Sequence, residues 1–112
     1  MLEELIDLVK HGLGHDVKDL GSGRRVVTTA GTRVKLVELR VSSKAVCITA
    51  EDNNTGVIVI GGNGVIAALA TREGTPLDAG DSAVVPCDDL SDIWLDSTVS
   101  GDGVTYTNFV GG

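Results

Sequence analysis

Asp88, Asp89, Asp92 and Asp96 are the densest group of potential metal ligands or acids in the chain. Calcium takes about six or more oxygens from a folded loop, and the EF-hand spacing that would supply them is absent. Two of these carboxylates could serve glycoside hydrolysis on paper. That chemistry needs a cleft with aromatic sugar platforms, and the chain holds one Trp, one Tyr and one Phe. Turn formation, capping and solubility account for the cluster without a ligand. His11 and His15 are four residues apart, as two zinc ligands on a helix would be. Gly12 and Gly14 interrupt them and no third ligand is near, so they read as surface histidines.

Cys47 and Cys87 fall on predicted strands and read as buried thiols behaving as small hydrophobes, with a disulfide as the alternative. The segment at Met1 is too short and too acidic for a secretory signal. Asn53-Asn54-Thr55 matches a glycosylation acceptor, which has no meaning without secretion. Gly61-Gly62-Asn63-Gly64 lacks the Lys-Ser/Thr that completes a phosphate loop. No Ser-His-Asp or Cys-His arrangement presents itself. The expectation is a protein that is not an enzyme and requires no metal or cofactor.

The elements that must position these residues are mostly strands. At 112 residues the chain is one domain with one core, and with 3% aromatics that core must be aliphatic. Val46, Ile48 and Ala50 alternate with Ala45, Cys47 and Thr49, the period of a half-buried strand. Asn53-Asn54-Thr55-Gly56 is turn-forming, and Val57-Ile58-Val59-Ile60 suits a strand covered on both faces. Together they predict a hairpin. Val26–Thr29 predicts a short strand. Arg33–Val41 predicts another, with a bulge or break where the apolar set shifts at Val37. Val65–Ala70 reads equally as strand or helical turn. Residues 71–81 read as a turn-rich connection around Pro76, and Pro86 places Ala83–Val85 at an edge or a strand end. Ile93 and Leu95 should face the core, with Trp94 and Asp96 facing away. Asp102-Gly103 marks a second hairpin into the last strand, Val104–Val110.

These signals predict an all-β antiparallel sandwich, jelly-roll-like, of about seven or eight short strands. It should occupy 25–112, with Val46, Ile48, Val57, Val59, Val84, Ile93, Leu95 and Val104 in its core. Residues 1–24 read as an N-terminal unit. It holds one short α-helix from Leu2 to about His11, then a linker broken by Gly12, Gly14, Gly21 and Gly23, with at most a helical turn at Asp16–Leu20. Leu2, Leu5, Ile6 and Val9 form one apolar stripe on the helix. A free helix this short is marginal, so the stripe must dock, either on a partner subunit or on its own sandwich. Trp94 is a further candidate partner contact.

Net charge is −7, distributed unevenly: all nine Lys and Arg lie at or before Arg72, and residues 73–112 hold eight acids and no base. An acidic C-terminal third repels phosphate and argues against nucleic-acid binding there. No apolar run approaches the roughly 20 residues of a membrane helix, so no membrane partner is expected.

The run GTPLDAGDSAVVPCDDLSDIWLDSTVSGDGVTYTNF, with the earlier NTGVIVIGG, resembles a recurring pattern in small virion proteins of tailed bacteriophages. Its parts are a turn "NTG" into an apolar strand, then G-x-P-L-x-x-G-D-S, then D-D-L-S-x-I-x-x-D, then G-x-G-V-x-Y. The similarity covers roughly Asn54 to Phe109 and leaves residues 1–24 outside it. It implies a β-sandwich virion component without enzymatic activity, of the capsid cement or decoration type. Its expected partners are the major capsid protein and itself, as a homo-oligomer and specifically a trimer. Its expected place is the capsid surface of a virion assembled in the host cytoplasm. The alternative is a tail or neck component, an adaptor or receptor-binding module. A small hydrolase or sugar-binding domain is the contrasting class, disfavoured by the few aromatics.

Overall fold

Short β-branched runs separated by Gly, Asp and Asn favour many brief strands, and the computed structural model, which describes residues 17–111, contains eight. They are β1 (Val17–Val26), β2 (Val34–Lys35), β3 (Ala45–Ala50), β4 (Ile58–Gly61), β5 (Thr75–Leu77), β6 (Ser82–Pro86), β7 (Trp94–Ser97) and β8 (Gly103–Gly111). Two four-stranded sheets result, ordered β1-β8-β3-β6 and β2-β7-β4-β5, and all their pairings are antiparallel. The fold is all-β and sandwich-like. The predicted helix Leu2–His11 lies outside the described residues.

The core sits between the sheets. Val46, Ile48 and Ala50 of β3 meet Ile58 and Ile60 of β4, Leu95 of β7 and Val104 of β8, with Ile93 beside them. The alternation in β3 therefore marks a real face. In β4 the consecutive β-branched residues split, and Val59 points the other way into a second cluster with Val65 and Ala67. That cluster forms because the chain after Gly61 folds back over the outer face of this sheet. Val65–Ala70 is neither a full strand nor a helix: Ile66 forms an isolated bridge to Glu73, and Leu69–Thr71 makes one 3-10 turn. Of the predicted core, Val57 and Val84 are only half-buried, whereas the other six are buried.

Several expectations are corrected. Residues 17–24 are not linker but most of β1, paired with β8 from Val17↔Gly111 to Val26↔Gly103. Gly21 and Gly23 read as breakers, yet a Cβ at either would collide with Asn108 or Tyr106, so the strand needs them small. Neither predicted hairpin exists. β3 and β4 lie in different sheets, as do β7 and β8, so both turn signals are arches across the sandwich. A hairpin would put both strands' apolar faces on one sheet, whereas crossing lets them face each other. Arg33–Val41 forms only the two-residue β2. After Leu36 enters the core the chain leaves the sheet, and Leu39 is 81% exposed. The strand predicted at Val26–Thr29 stops at Val26, the end of β1. Pro76 sits within β5 rather than in a turn. Its lack of an N–H is tolerated because β5 is an edge strand, like β6 with Pro86. Asp96 does face away from the inter-sheet core, on the side of Val59 and Trp94, but it is buried there rather than solvated, because the chain folded back over this face brings the Ala67 N–H onto its carboxylate.

Val59→Asp is expected to prevent folding, because it buries a charge among Val65, Ala67 and half-buried Val57 and Trp94 with no partner. A circular-dichroism spectrum that keeps wild-type strand content and a cooperative urea transition in this variant would contradict the packing.

Candidate functional site: an apolar pocket beside Cys87 and three anchoring aspartates

Where the edges of the two sheets part, Ile60 and Thr75 on one side and Val85 and Cys87 on the other leave a pocket of about 300 Å³. Ile93 and Asp92 close its wall. The surroundings decide what the Cys87 thiol can do. Burial, and then the negative charges of Asp88, Asp89 and Asp92, push its pKa up. A thiol held protonated is a poor nucleophile and a poor metal ligand. The pocket is lined mainly by apolar side chains, with Asp92 at its rim. Cys47 is buried on β3 and also raised, by burial, with a hydrogen bond involving Thr49 working against the shift. Both cysteines are free thiols.

The aspartate group of the sequence does not come together. Asp88 and Asp92 are exposed, while Asp89 and Asp96 are buried in separate places. Among the described residues, no three His, Cys, Asp or Glu side chains are grouped as a metal site. Each buried aspartate instead holds a loop. Asp89 caps the 3-10 turn Leu90–Asp92 by accepting from the Ser91 N–H (2.9 Å). It also accepts from the Ser91 hydroxyl (2.8 Å), the Val41 N–H (3.2 Å) and Arg40 (3.2 Å). These bonds, the Ser91 N–H foremost, hold its pKa below the ordinary carboxylate range. Asp96 accepts from the N–H groups of Gly31 (3.0 Å), Ala67 (2.9 Å) and Ser97 (2.8 Å). Asp102, which the sequence assigned only to a turn, accepts from Thr55 N–H (3.1 Å) and Gly56 N–H (2.8 Å).

Of the predicted partner contacts, Leu2, Leu5, Ile6 and Val9 lie outside the described residues. Trp94 is half-buried, packed against the Val59–Val65–Ala67 cluster, and the Lys35 ammonium stands 5.6 Å from its ring centroid. It does not line the pocket beside Cys87. The pocket itself was hidden in the sequence, because its walls come from strands of both sheets that pairing alone relates. Comparison with protein-family models, curated proteins and solved structures finds no match.

Asp96→Ala should cost at least about 2 kcal/mol, since it leaves buried N–H groups without an acceptor. Equilibrium urea unfolding measures it, and a loss within error of zero would remove Asp96 from this role. The lowered pKa of Asp89 sets a pH dependence. Its stabilisation is complete above the ordinary carboxylate range and is lost as pH falls through the folded-state pKa. Asp89→Asn should therefore lower Tm most near neutral pH, with the two proteins converging in acid. A Tm difference that does not change with pH would contradict this.

Proposed function

We propose that the protein is a non-enzymatic structural component of a tailed-phage virion, a cement or decoration protein that binds the assembled head and stabilises it. The observation that carries this reading is the strand order. With the strands taken in sequence, β1-β8-β3-β6 facing β2-β7-β4-β5 is the order of a jelly roll, in which two four-stranded sheets exchange the chain repeatedly. The architecture occurs in viral capsid domains, and also in lectins and cupins, so it does not decide function alone. The resemblance over Asn54–Phe109 is what turns the reading toward virions. The described residues add a consistent chemistry, a protonated thiol and carboxylates occupied with loop N–H groups.

In this reading the partners are the major capsid protein and further copies of the chain, arranged as a trimer at symmetric positions on the head. Many weak contacts repeated by symmetry would make such binding firm without a large single interface. The test is to purify particles and locate the protein by electron microscopy and quantitative mass spectrometry. A stoichiometry comparable to the major capsid protein, with density on the head, is expected. A single ring's worth of copies would assign it to the neck or tail. Absence from purified particles would overturn the virion reading.

A further inference from the structure

The turn Gly62-Asn63-Gly64-Val65 stands clear of the rest of the molecule. Its own bond closes it, from the Val65 N–H to the Gly62 carbonyl at 3.1 Å. Just beyond it Ile66 and Glu73 exchange two backbone hydrogen bonds of 3.0 Å, which hold the base of the loop. Asn63 and Gly64 are both exposed, and a Cβ at Gly62 or Gly64 would meet nothing within 4 Å. Among the described residues, no hydrogen bond engages the Asn63 side chain or the Gly64 N–H. An asparagine amide is thermolabile. Here it precedes a backbone nitrogen that is neither shielded by a Cβ nor occupied as a donor.

The other asparagines of the chain, three of four, are held. After Asn53, the Asn54 N–H donates to the Glu51 carbonyl at 3.1 Å. The Asn54 side chain bonds both the N–H and the carbonyl of Gly103 at 2.9 Å, and the Thr55 N–H that follows it donates to Asp102 at 3.1 Å. Asn108 is 4% exposed within β8, with the bulky Phe109 after it. Asp102-Gly103 is the other place where an acid or its amide precedes glycine. Its carboxylate is occupied by the Thr55 and Gly56 N–H groups, and the Gly103 N–H is spent on Asn54.

We propose that Asn63-Gly64 is a site of spontaneous covalent modification, at which the folded protein converts its own asparagine to aspartate and isoaspartate. The Gly64 nitrogen attacks the Asn63 side-chain carbonyl carbon. A carbon–nitrogen bond forms to close a cyclic imide, the bond from that carbon to Nδ2 breaks, and the side-chain nitrogen leaves as ammonia with the Gly64 proton. Solvent water then opens the imide at either carbonyl, giving aspartate or an isoaspartate whose main chain runs through Cβ. Both products add a negative charge at the tip of the turn. Glu73 lines the same surface hollow as Gly64 and Val65, so that charge arrives beside an existing one. Isoaspartate also lengthens the chain between Gly62 and Val65. Val65 is 3% exposed and covers Val59, so the change should loosen the cluster on the outer face of this sheet. The inference does not depend on the virion reading.

The test ages the full-length protein in warm, mildly alkaline buffer, with peptide mapping and enzymatic methylation of isoaspartate as readouts. A mass gain of about 1 Da should appear at Asn63 at least tenfold faster than at Asn53, Asn54 or Asn108. Isoaspartate should be found at position 63 and not at Asp102. Gly64→Ala, which has room for its methyl group, should keep the fold and slow the conversion at least tenfold. Conversion that occurs only in the urea-unfolded chain would overturn the proposal, because the turn would then protect the pair. So would an unchanged rate in folded Gly64→Ala. Aged protein should melt at a lower temperature than fresh protein, and by more than Asn63→Asp, which adds the charge without the longer chain. Equal melting of aged and fresh protein would remove the effect on the Val59–Val65 cluster.

Discussion

A chain that passes repeatedly between two sheets must find acceptors for the backbone N–H groups of each crossing, since an unpaired buried donor costs as much as a lost hydrogen bond. At one end of this sandwich the crossings satisfy each other. Asp102 receives two N–H groups from the β3–β4 arch, while the Asn54 side chain bonds both the N–H and the carbonyl of Gly103 at 2.9 Å. The Val27 N–H, leaving β1, donates to the Asp102 carbonyl, and the Val27 carbonyl accepts from the Gly101 N–H. Three connections, β1–β2, β3–β4 and β7–β8, thus close on one clasp. The β5–β6 connection joins the same end through Ala50, whose carbonyl accepts from the Gly80 N–H and whose N–H donates to the Asp81 carbonyl.

The acids of the last third of the chain divide between solvent and such buried crossings. Of the eight acids that follow Arg72, Asp78, Asp81, Asp88 and Asp92 are exposed. Asp96 and Asp102 are buried instead, at 3% and 5% exposed, because a carboxylate can accept several backbone N–H groups where a neutral side chain would accept fewer. Their donors are far away in sequence: Asp96 collects Gly31 and Ala67, and Asp102 collects Thr55 and Gly56. No local spacing announces such a pairing. Asp89 is the contrasting case, because Ser91 two residues on is its main partner, and a cap of that kind was legible.

The same distinction runs through the fold. Period-two alternation reports which residues share a face, so Val46, Ile48, Leu95 and Val104 were correctly read as core. It does not report which sheet a strand joins, and the turn residues after Ala50 and before Gly103 serve an arch as readily as a hairpin. Gly21 and Gly23 show a further limit. Small residues normally argue against a strand, but here they make room for Asn108 and Tyr106 on the neighbouring strand, information that exists only once β1 and β8 are paired. The pocket beside Cys87 was illegible for a related reason, since it arises from the divergence of β4 and β5 from β6 and not from any one segment.

These constraints also limit how the molecule can meet others. The outer face of the β2-β7-β4-β5 sheet is occupied where Val65 and Ala67 cover Val59. Main-chain pairing with another chain needs an open edge with free N–H groups. β2 offers two residues, β5 three with Pro76 among them, and β6 five ending at Pro86. Each is short, and two carry a proline, which are common ways natural sheets discourage edge-to-edge growth. β1, with ten residues, is the exception. Leu20 pairs with Phe109, whose carbonyl is turned toward Lys44 on the far side, so the Leu20 N–H points out of the sheet and bonds its neighbour Asp19 at 2.8 Å. Charge guards even this edge: Asp19 occupies that donor, and Arg24 is held by Glu51. Short strands, edge prolines and an occupied Leu20 N–H thus leave the described edges little main chain with which to pair indiscriminately.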